Sequence, residues 1–595
     1  MPLKTRREMD PIYKWDLTHI FENDADWEAA FSELAGRIGL MEAHRGKLGT
    51  QKGALEALDA YYALSEYAER IYLYAELQKA GDNGDQAAQA MQDRALGLLV
   101  ELGAIASFIT PELASLPEAT LEGYLKEEAL ANYWHGIADI IRGRAHVLSA
   151  EQEHMLALLA DAAQTPDNGF TMLSNVDMSF PEIEDDSGQK VQLTHGNYSV
   201  FRESRNQAVR KAAFEAYQME FGRYINTFAS LYYGSVKLDG YFAKVRKYDG
   251  ALSQALFGNA VPKEVYQSLI AAVHNSLPAM QKYLSLRKDV LGLAELHMYD
   301  LYCPMVEGVE ALYTLEEAQA LVKEALSPLG AEYSQLLDKA FSGGWIDAYE
   351  NKGKTTGAFS CGVYGVHPYV LLNFTNTLDD VFTLAHEIGH ALHSYKSDAA
   401  QTYANHDYAI FVAEVASTVN EVLLTLHLLE VEKDPRRRAY YLNHFLEGFR
   451  TTLYRQTLFA EFEMETHAMA EGAEPLTPDV LNGLYHRLNE AYYKGAVVDE
   501  LQDLEWARIP HFYNSFYVYQ YATGFSAAVD IASRIRKTGD ASGYLRFLAT
   551  GGSDYPIEEL KLAGVDLSKP DTVNSALDVF SKSVEELSGL LQQIK

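Results

Sequence analysis

His386-Glu387-Ile-Gly-His390 places two imidazoles four residues apart, with a carboxylate directly after the first. On an α-helix, residues i and i+4 stand on one face a turn apart, so both rings can address a single ion. Imidazole nitrogen suits Zn²⁺, which holds such ligands at about 2.0–2.1 Å. The Glu387 carboxylate can then reach a water on the ion without being a ligand itself. A Lewis acid, a water and a neighbouring base are the parts of a metal hydrolase. A buried helix can carry the same pattern by accident, so the remaining parts must be sought elsewhere in the chain.

Catalytic zinc takes three protein ligands and keeps one position open. A good source for the third is Asn405-His-Asp-Tyr-Ala-Ile-Phe-Val-Ala-Glu414-Val-Ala-Ser-Thr-Val-Asn-Glu421. Asn405 or Asp407 can cap a helix there, and Ile410, Phe411, Val415, Val419 and Val422 give it an apolar side. Glu414 stands among those residues, where a carboxylate is costly unless paired or metal-bound. It is the expected third ligand. Glu421, two turns on and roughly on the same face, is expected to orient a histidine ligand through its free ring nitrogen. His393 competes with Glu414, since it shares the face of His386 and lies seven residues after it. It would have to lean a further turn along the helix, which strains a tetrahedral site.

A third stretch, His511-Phe-Tyr-Asn-Ser-Phe-Tyr-Val-Tyr-Gln-Tyr-Ala-Thr-Gly524, holds one histidine and four tyrosines within eleven residues. Amide hydrolysis passes through an oxyanion that needs preorganised donors, and imidazole and phenol can supply them. In a chain with 39 tyrosines the plain alternative is aromatic core. Beside a metal helix, the functional reading is preferred.

The elements that must position these groups are legible in outline. Thr377-Leu-Asp-Asp380 reads as a capping box variant opening the motif helix, and Val381, Leu384, Ala385, Ile388 and Leu392 recur at helical spacing. Gly389 costs that helix about 1 kcal/mol against alanine, so it is expected to leave room for a close backbone or a substrate. Just upstream, Gly357–Tyr364 and His367–Phe374 read as a hairpin or two neighbouring strands. Such a strand edge could bind an extended peptide backbone, or could simply cover the helix. Residues 1–200 are expected to be mostly helical, with periodic segments at 52–80, 84–109, 117–144 and 150–163. Thr165–Gly169 reads as a turn cluster, Asp185–Gly188 as a hairpin turn and Val191–Thr194 as a strand. A domain boundary is placed there, giving an N-terminal helical lobe at 1–200 and a catalytic region at 201–595.

The chain's 595 residues are 48% hydrophobic and 22% charged, a globular composition with room for more than one domain. Fifty basic residues against 83 acidic ones leave a net charge of −33. That argues against a nucleic-acid partner, which needs basic surface. Two cysteines, Cys303 and Cys361, offer no disulfide framework and fit a reducing compartment. The first ten residues carry basic charge with no apolar run behind it, so no secretory signal is expected. Leu96–Ile109 is apolar but short, contains Glu101 and reads as a core helix. A cytoplasmic protein without membrane contacts is expected.

With these residues in hand, the sequence resembles the thimet-oligopeptidase-type zinc metallopeptidases, in their oligoendopeptidase F branch. The resemblance is carried by His386–His393, Phe411-Val-Ala-Glu414, Gly357-Ala-Phe-Ser360, His367–Phe374, Ile509–Tyr513 and Tyr521–Gly524, with Tyr13–Thr18 near the start. It implies a mainly α, multi-helical, two-lobed zincin-like peptidase with a small β-sheet beside the HExxH helix and a deep internal channel. It also implies one zinc per chain held by His386, His390 and Glu414, with Glu387 as general base and oligopeptides cut at internal bonds. His511 matches the family's carbonyl-binding histidine. Tyr517 matches its tyrosine with one inserted residue, and Tyr513, Tyr519 and Tyr521 stand nearby. Two other functions fit the same residues: a peptide-binding protein with a non-catalytic zinc, and a carboxy-end exopeptidase.

Overall fold

Helical periodicity in the sequence becomes helix almost throughout. A computed structural model describes residues 3–306 and 312–594 of the protein. Asn23 caps the helix Asp24–Arg37 through the Ala25 and Asp26 amides. Long helices follow at Gln51–Gly81, Gln86–Ala106 and Ala150–Ala163. The expected 117–144 segment is broken: Glu118–Tyr124 and Trp134–Gly143 flank a 3₁₀ turn at Glu128–Tyr133. That turn drives Leu130 and Tyr133 inward, and the Tyr133 hydroxyl donates to Asp59 at 2.5 Å. The expected turn cluster at 165–169 is instead the start of a helix, Thr165–Met172. Pro166 sits in its first turn, where a missing N–H breaks no intrahelical bond.

The strands are few and short. β1 (Glu182–Glu184) and β2 (Lys190–Gln192) form an antiparallel hairpin, pairing Ile183 with Val191. Its turn is held by Asp185, whose carboxylate accepts from the Ser187 and Gln189 amides, and by Gly188 at φ 78°. A second sheet runs β3 (Ile346–Asp347), β5 (Tyr369–Leu371), β4 (Phe359–Cys361) in spatial order. β5 is parallel to β3 and antiparallel to β4, with Ser360 opposite Val370. As the central strand, β5 has Tyr369, Val370 and Leu371 all buried, which accounts for its unbroken apolar run. β4 is an edge.

Packing divides the chain into two compact units. The first comprises residues 1–145, 311–427 and 531–565; the second comprises 146–310, 428–530 and 566–595. This interleaved division differs from the sequential split expected at residue 200. The β1–β2 hairpin accounts for the difference, because it packs on the helix Gln207–Arg223 within the second unit and is not a linker. In the first unit, Trp27, Leu34, Ile38, Ile71, Leu77, Tyr369 and Leu371 share one core, with the Trp27 indole N–H donating to the Ile71 carbonyl at 2.8 Å.

Among the described residues, two helical stretches are long and apolar enough to cross a membrane by length and composition, Gln86–Ser115 and Ile410–Val431. Leu96–Ile109, expected as a short core helix, lies in the longer first stretch, of whose apolar window only one third is buried, with Leu96 and Val100 exposed. The second stretch carries Glu414 and Glu421, and two thirds of its apolar window is buried inside the protein.

Candidate metal centre

The motif helix spans Leu378–Ala400. Its capping box forms as expected: the Thr377 hydroxyl accepts from the Asp380 amide at 3.2 Å, and the Asp380 carboxylate accepts from the Thr377 amide at 2.8 Å. Leu384, Ala385, Ile388 and Leu392 are fully buried, so the helix is fixed by its apolar face while the opposite face carries the histidines. The partner helix, Ile410–Val431, lies against it. Gly389 explains the approach: a Cβ there would stand 2.5 Å from Ser417 Cα and 2.9 Å from the Ala416 carbonyl oxygen. The glycine thus serves a close backbone. Asn420, fully buried, reinforces the crossing by donating to the Ala385 carbonyl at 3.0 Å.

This crossing gathers the expected ligand atoms. The two Nε2 atoms of His386 and His390 are 3.2 Å apart. Glu414 Oε2 lies 3.5 Å from the first and 3.8 Å from the second. Among the described residues these three side chains form the one group of histidine, cysteine or carboxylate donors close enough to share an ion. On the far side of His386, Nδ1 contacts Glu421. The carboxylate fixes the tautomer that leaves Nε2 free for a metal. The Ser417 hydroxyl lies 3.3 Å from Glu414 Oε2 and 3.0 Å from the Glu414 carbonyl.

Electrostatics agree with a cation at this point. Glu387, Glu414 and Glu421 surround the imidazoles, and none of the three pairs with a lysine or arginine among the described residues. Burial lowers His386, but the Glu421 hydrogen bond and the surrounding carboxylates outweigh it and lift the group to about 9. Burial, reinforced by His386, lowers His390 to about 4. Burial pushes Glu387 up to about 7, with His386 opposing and the other two carboxylates adding to the rise. The cluster therefore favours one positive charge among these carboxylates, carried by the His386 imidazolium or, in its place, by a metal cation. A donor set of two nitrogens and one oxygen with an open side fits catalytic zinc.

His393 is elsewhere. Its ring is fully buried and lies flat on Tyr408, with centroids 3.7 Å apart and planes 6° off parallel. Neither ring nitrogen has a hydrogen-bond partner among the described residues. Burial pushes it down to about 3, so it is a neutral packing imidazole.

His511 and the nearby tyrosines belong to the second unit. Tyr513 packs on Phe170 at 4.7 Å, and Tyr519, 2% exposed, packs on Tyr266 at 5.0 Å. Tyr517 and Tyr521 group with His511 instead: Tyr521 Oη is 3.4 Å from His511 Nε2, and the two tyrosine rings are 5.4 Å apart. Burial lowers the His511 imidazole, favouring its neutral form. The four candidate tyrosines thus separate into two that pack and two that stand with the histidine. Sequence reasoning missed Ser417 and Asn420. Their signal was present, since both are polar residues three positions apart between Glu414 and Glu421 in a helix rich in valine and alanine.

A histidine pair one helical turn apart, a distant glutamate brought beside it and a buried glutamate next to the first histidine define the zinc-dependent peptidase class. Comparison with known sequences narrows this. Residues 200–579 match the profile of Peptidase family M3, and residues 112–180 match that of Oligopeptidase F. Oligopeptidase PepF of Bacillus subtilis is 42% identical over 100% of this chain and 89% of its own length. A crystal structure from Chlamydophila abortus superposes at TM-score 0.95 with 34% identity, covering 99% of this chain and 100% of that one. Oligoendopeptidase-F from Enterococcus faecium superposes at TM-score 0.73 with 37% identity, covering 96% and 99%. The chain belongs to peptidase family M3, in its oligoendopeptidase F branch, and is a zinc metalloendopeptidase.

Proposed function

We propose that the protein hydrolyses internal peptide bonds of short oligopeptides with one zinc held by His386, His390 and Glu414. When bound, zinc supplies Lewis acidity and brings the pKa of a coordinated water toward about 7. Glu387 takes a proton from the attacking water as oxygen adds to the scissile carbonyl carbon. The same carboxyl then delivers that proton to the amide nitrogen as the C–N bond breaks, leaving a carboxylate and an amine. Glu421 holds His386 in the tautomer and orientation that a ligand needs. His511 and Tyr517, with Tyr521 against the histidine, supply hydrogen bonds to the carbonyl oxygen as it gains charge. The edge of β4 offers backbone groups to an extended peptide.

The observation that carries this reading is the three-atom cluster of His386, His390 and Glu414 with buried Glu387 on the same helix. The oligopeptide substrate is supported by the names of the relatives, Oligopeptidase PepF and Oligoendopeptidase F homolog; the proposed cytoplasmic location is supported by a sequence that holds two cysteines in 595 residues, the usage of a reducing compartment. Product masses from a peptide blocked at both ends test it. One cut at an internal bond is expected, giving two fragments that each keep one blocked end; release of terminal residues alone from an unblocked peptide, with the blocked one intact, would make the enzyme an exopeptidase.

A further inference from the structure

Phe516, the residue before Tyr517, stands in the left-handed region at φ 60°. A bulky aromatic residue adopts that conformation only where its surroundings impose it. The surroundings are one face of the helix Arg455–Glu471. Phe459 and Phe462 hold the Phe512 ring at 5.4 and 5.1 Å. One position on, the fully buried Glu463 accepts the Phe516 backbone N–H at 3.0 Å. A turn further, His467 lies 4.4 Å from the Phe516 ring and meets Asp239 Oδ2 at 3.2 Å. The same Asp239 oxygen accepts the Ser515 hydroxyl at 2.7 Å. Two tethers therefore grip the Ser515–Phe516 peptide, one on a side chain and one on the backbone amide.

Glu463 is a strange residue to bury for stability alone. No lysine or arginine pairs with it among the described residues, and its Oε2 has no hydrogen-bond partner. Burial holds the carboxyl well above the usual carboxylate range, so the group sits there neutral. An apolar side chain of similar volume would pack without an unsatisfied oxygen. What such a side chain could not do is accept the amide of a left-handed residue.

We propose that Glu463 is a positioning residue for peptide hydrolysis: it fixes the left-handed turn at Phe516 and so sets where Tyr517 and His511 stand. The proposal rests on the reading of those two as donors to the carbonyl oxygen. Without the acceptor, φ at Phe516 relaxes to a negative value and the chain leaving it swings Tyr517 away. Misplacement of a catalytic group by about 1 Å costs on the order of 10²-fold in rate.

The test is steady-state kinetics on the zinc-loaded, full-length enzyme with a blocked peptide, comparing Glu463→Leu, Glu463→Gln and, in parallel, Tyr517→Phe and His511→Ala. Glu463→Leu should lower kcat by about 10²-fold with KM and zinc content little changed. Amide exchange across 511–521 should quicken in the same variant. Glu463→Gln keeps an oxygen acceptor and should recover most of kcat, which a loss of packing alone would not require. Wild-type kcat in Glu463→Leu, with Tyr517→Phe or His511→Ala crippled, overturns the positioning role and leaves the donor reading standing. Wild-type kcat in both Tyr517→Phe and His511→Ala removes the donor reading and this proposal with it. Should Glu463→Leu not fold, Ser515→Ala removes the other tether from a partly exposed position, and an unchanged kcat there counts against the network in the same way.

Discussion

Gly389→Ala isolates the contact on which the metal centre depends. A Cβ at that position would lie 2.5 Å from Ser417 Cα, where ordinary contact begins at 3.4 Å, so the two helices must separate by about 0.9 Å. The obstructing atoms are backbone, which no rotamer change can clear. Zinc–ligand distances tolerate only about 0.2 Å, and Glu414 rides on the helix that is pushed away. The substitution also recovers about 1 kcal/mol of helix propensity. That offsets part of an overpacking cost of about 1–3 kcal/mol, so apo stability should fall by no more than about 2 kcal/mol. Zinc affinity should suffer more, by on the order of 10²-fold or about 2.7 kcal/mol, because metal geometry is less forgiving than packing. Competition against a chromophoric chelator, alongside thermal unfolding of the metal-free protein, separates the two effects. Wild-type zinc affinity in Gly389→Ala would refute the claim that this crossing assembles the site.

Other outcomes follow from particular contacts. Glu421→Ala should lower zinc affinity about 10–100-fold without removing a ligand, measured by the same chelator competition. Tyr517→Phe and Tyr521→Phe should lower kcat with modest change in KM, whereas Tyr513→Phe and Tyr519→Phe should leave kcat near wild type; the reverse pattern would reassign the donors. Glu559 is 1% exposed, and burial pushes its carboxyl up to about 8. A folded pKa above the unfolded value gives stability that is complete below about pH 4.3 and is lost as pH rises through about 8. Glu559→Gln should accordingly raise the unfolding midpoint at pH 8 more than at pH 4; equal shifts at both would refute the assignment.

The legible parts of the site were those governed by local rules. The Thr377 cap, the one-turn spacing of His386 and His390 and the apolar face of the motif helix are all written within a few residues. Glu414 and Glu421 were reachable because a carboxylate amid valines needs a reason. What periodicity could not reveal was which backbone Gly389 accommodates, since that is a contact with a residue 28 positions away. β3, with two residues, is too short for any alternating pattern and exists because β5 needs a parallel neighbour. The break at Tyr133 and the helix begun by Pro166 were misread for the opposite reason: local signals there are overruled or reinterpreted by tertiary contacts. Among four tyrosines in one segment, sequence spacing could not tell packing rings from polar ones. Their neighbours Phe170, Tyr266 and His511 do.

In the proposed hydrolysis, Glu387 moves the proton while taking no part in holding the zinc. Glu387→Gln keeps the side chain's shape and removes its basicity. Zinc content by elemental analysis and cleavage of a blocked oligopeptide, measured on one preparation, test both halves together. One zinc per chain with turnover reduced by at least about 10²-fold is the predicted result. Undiminished cleavage with zinc in place, or loss of the metal from the variant, would contradict it.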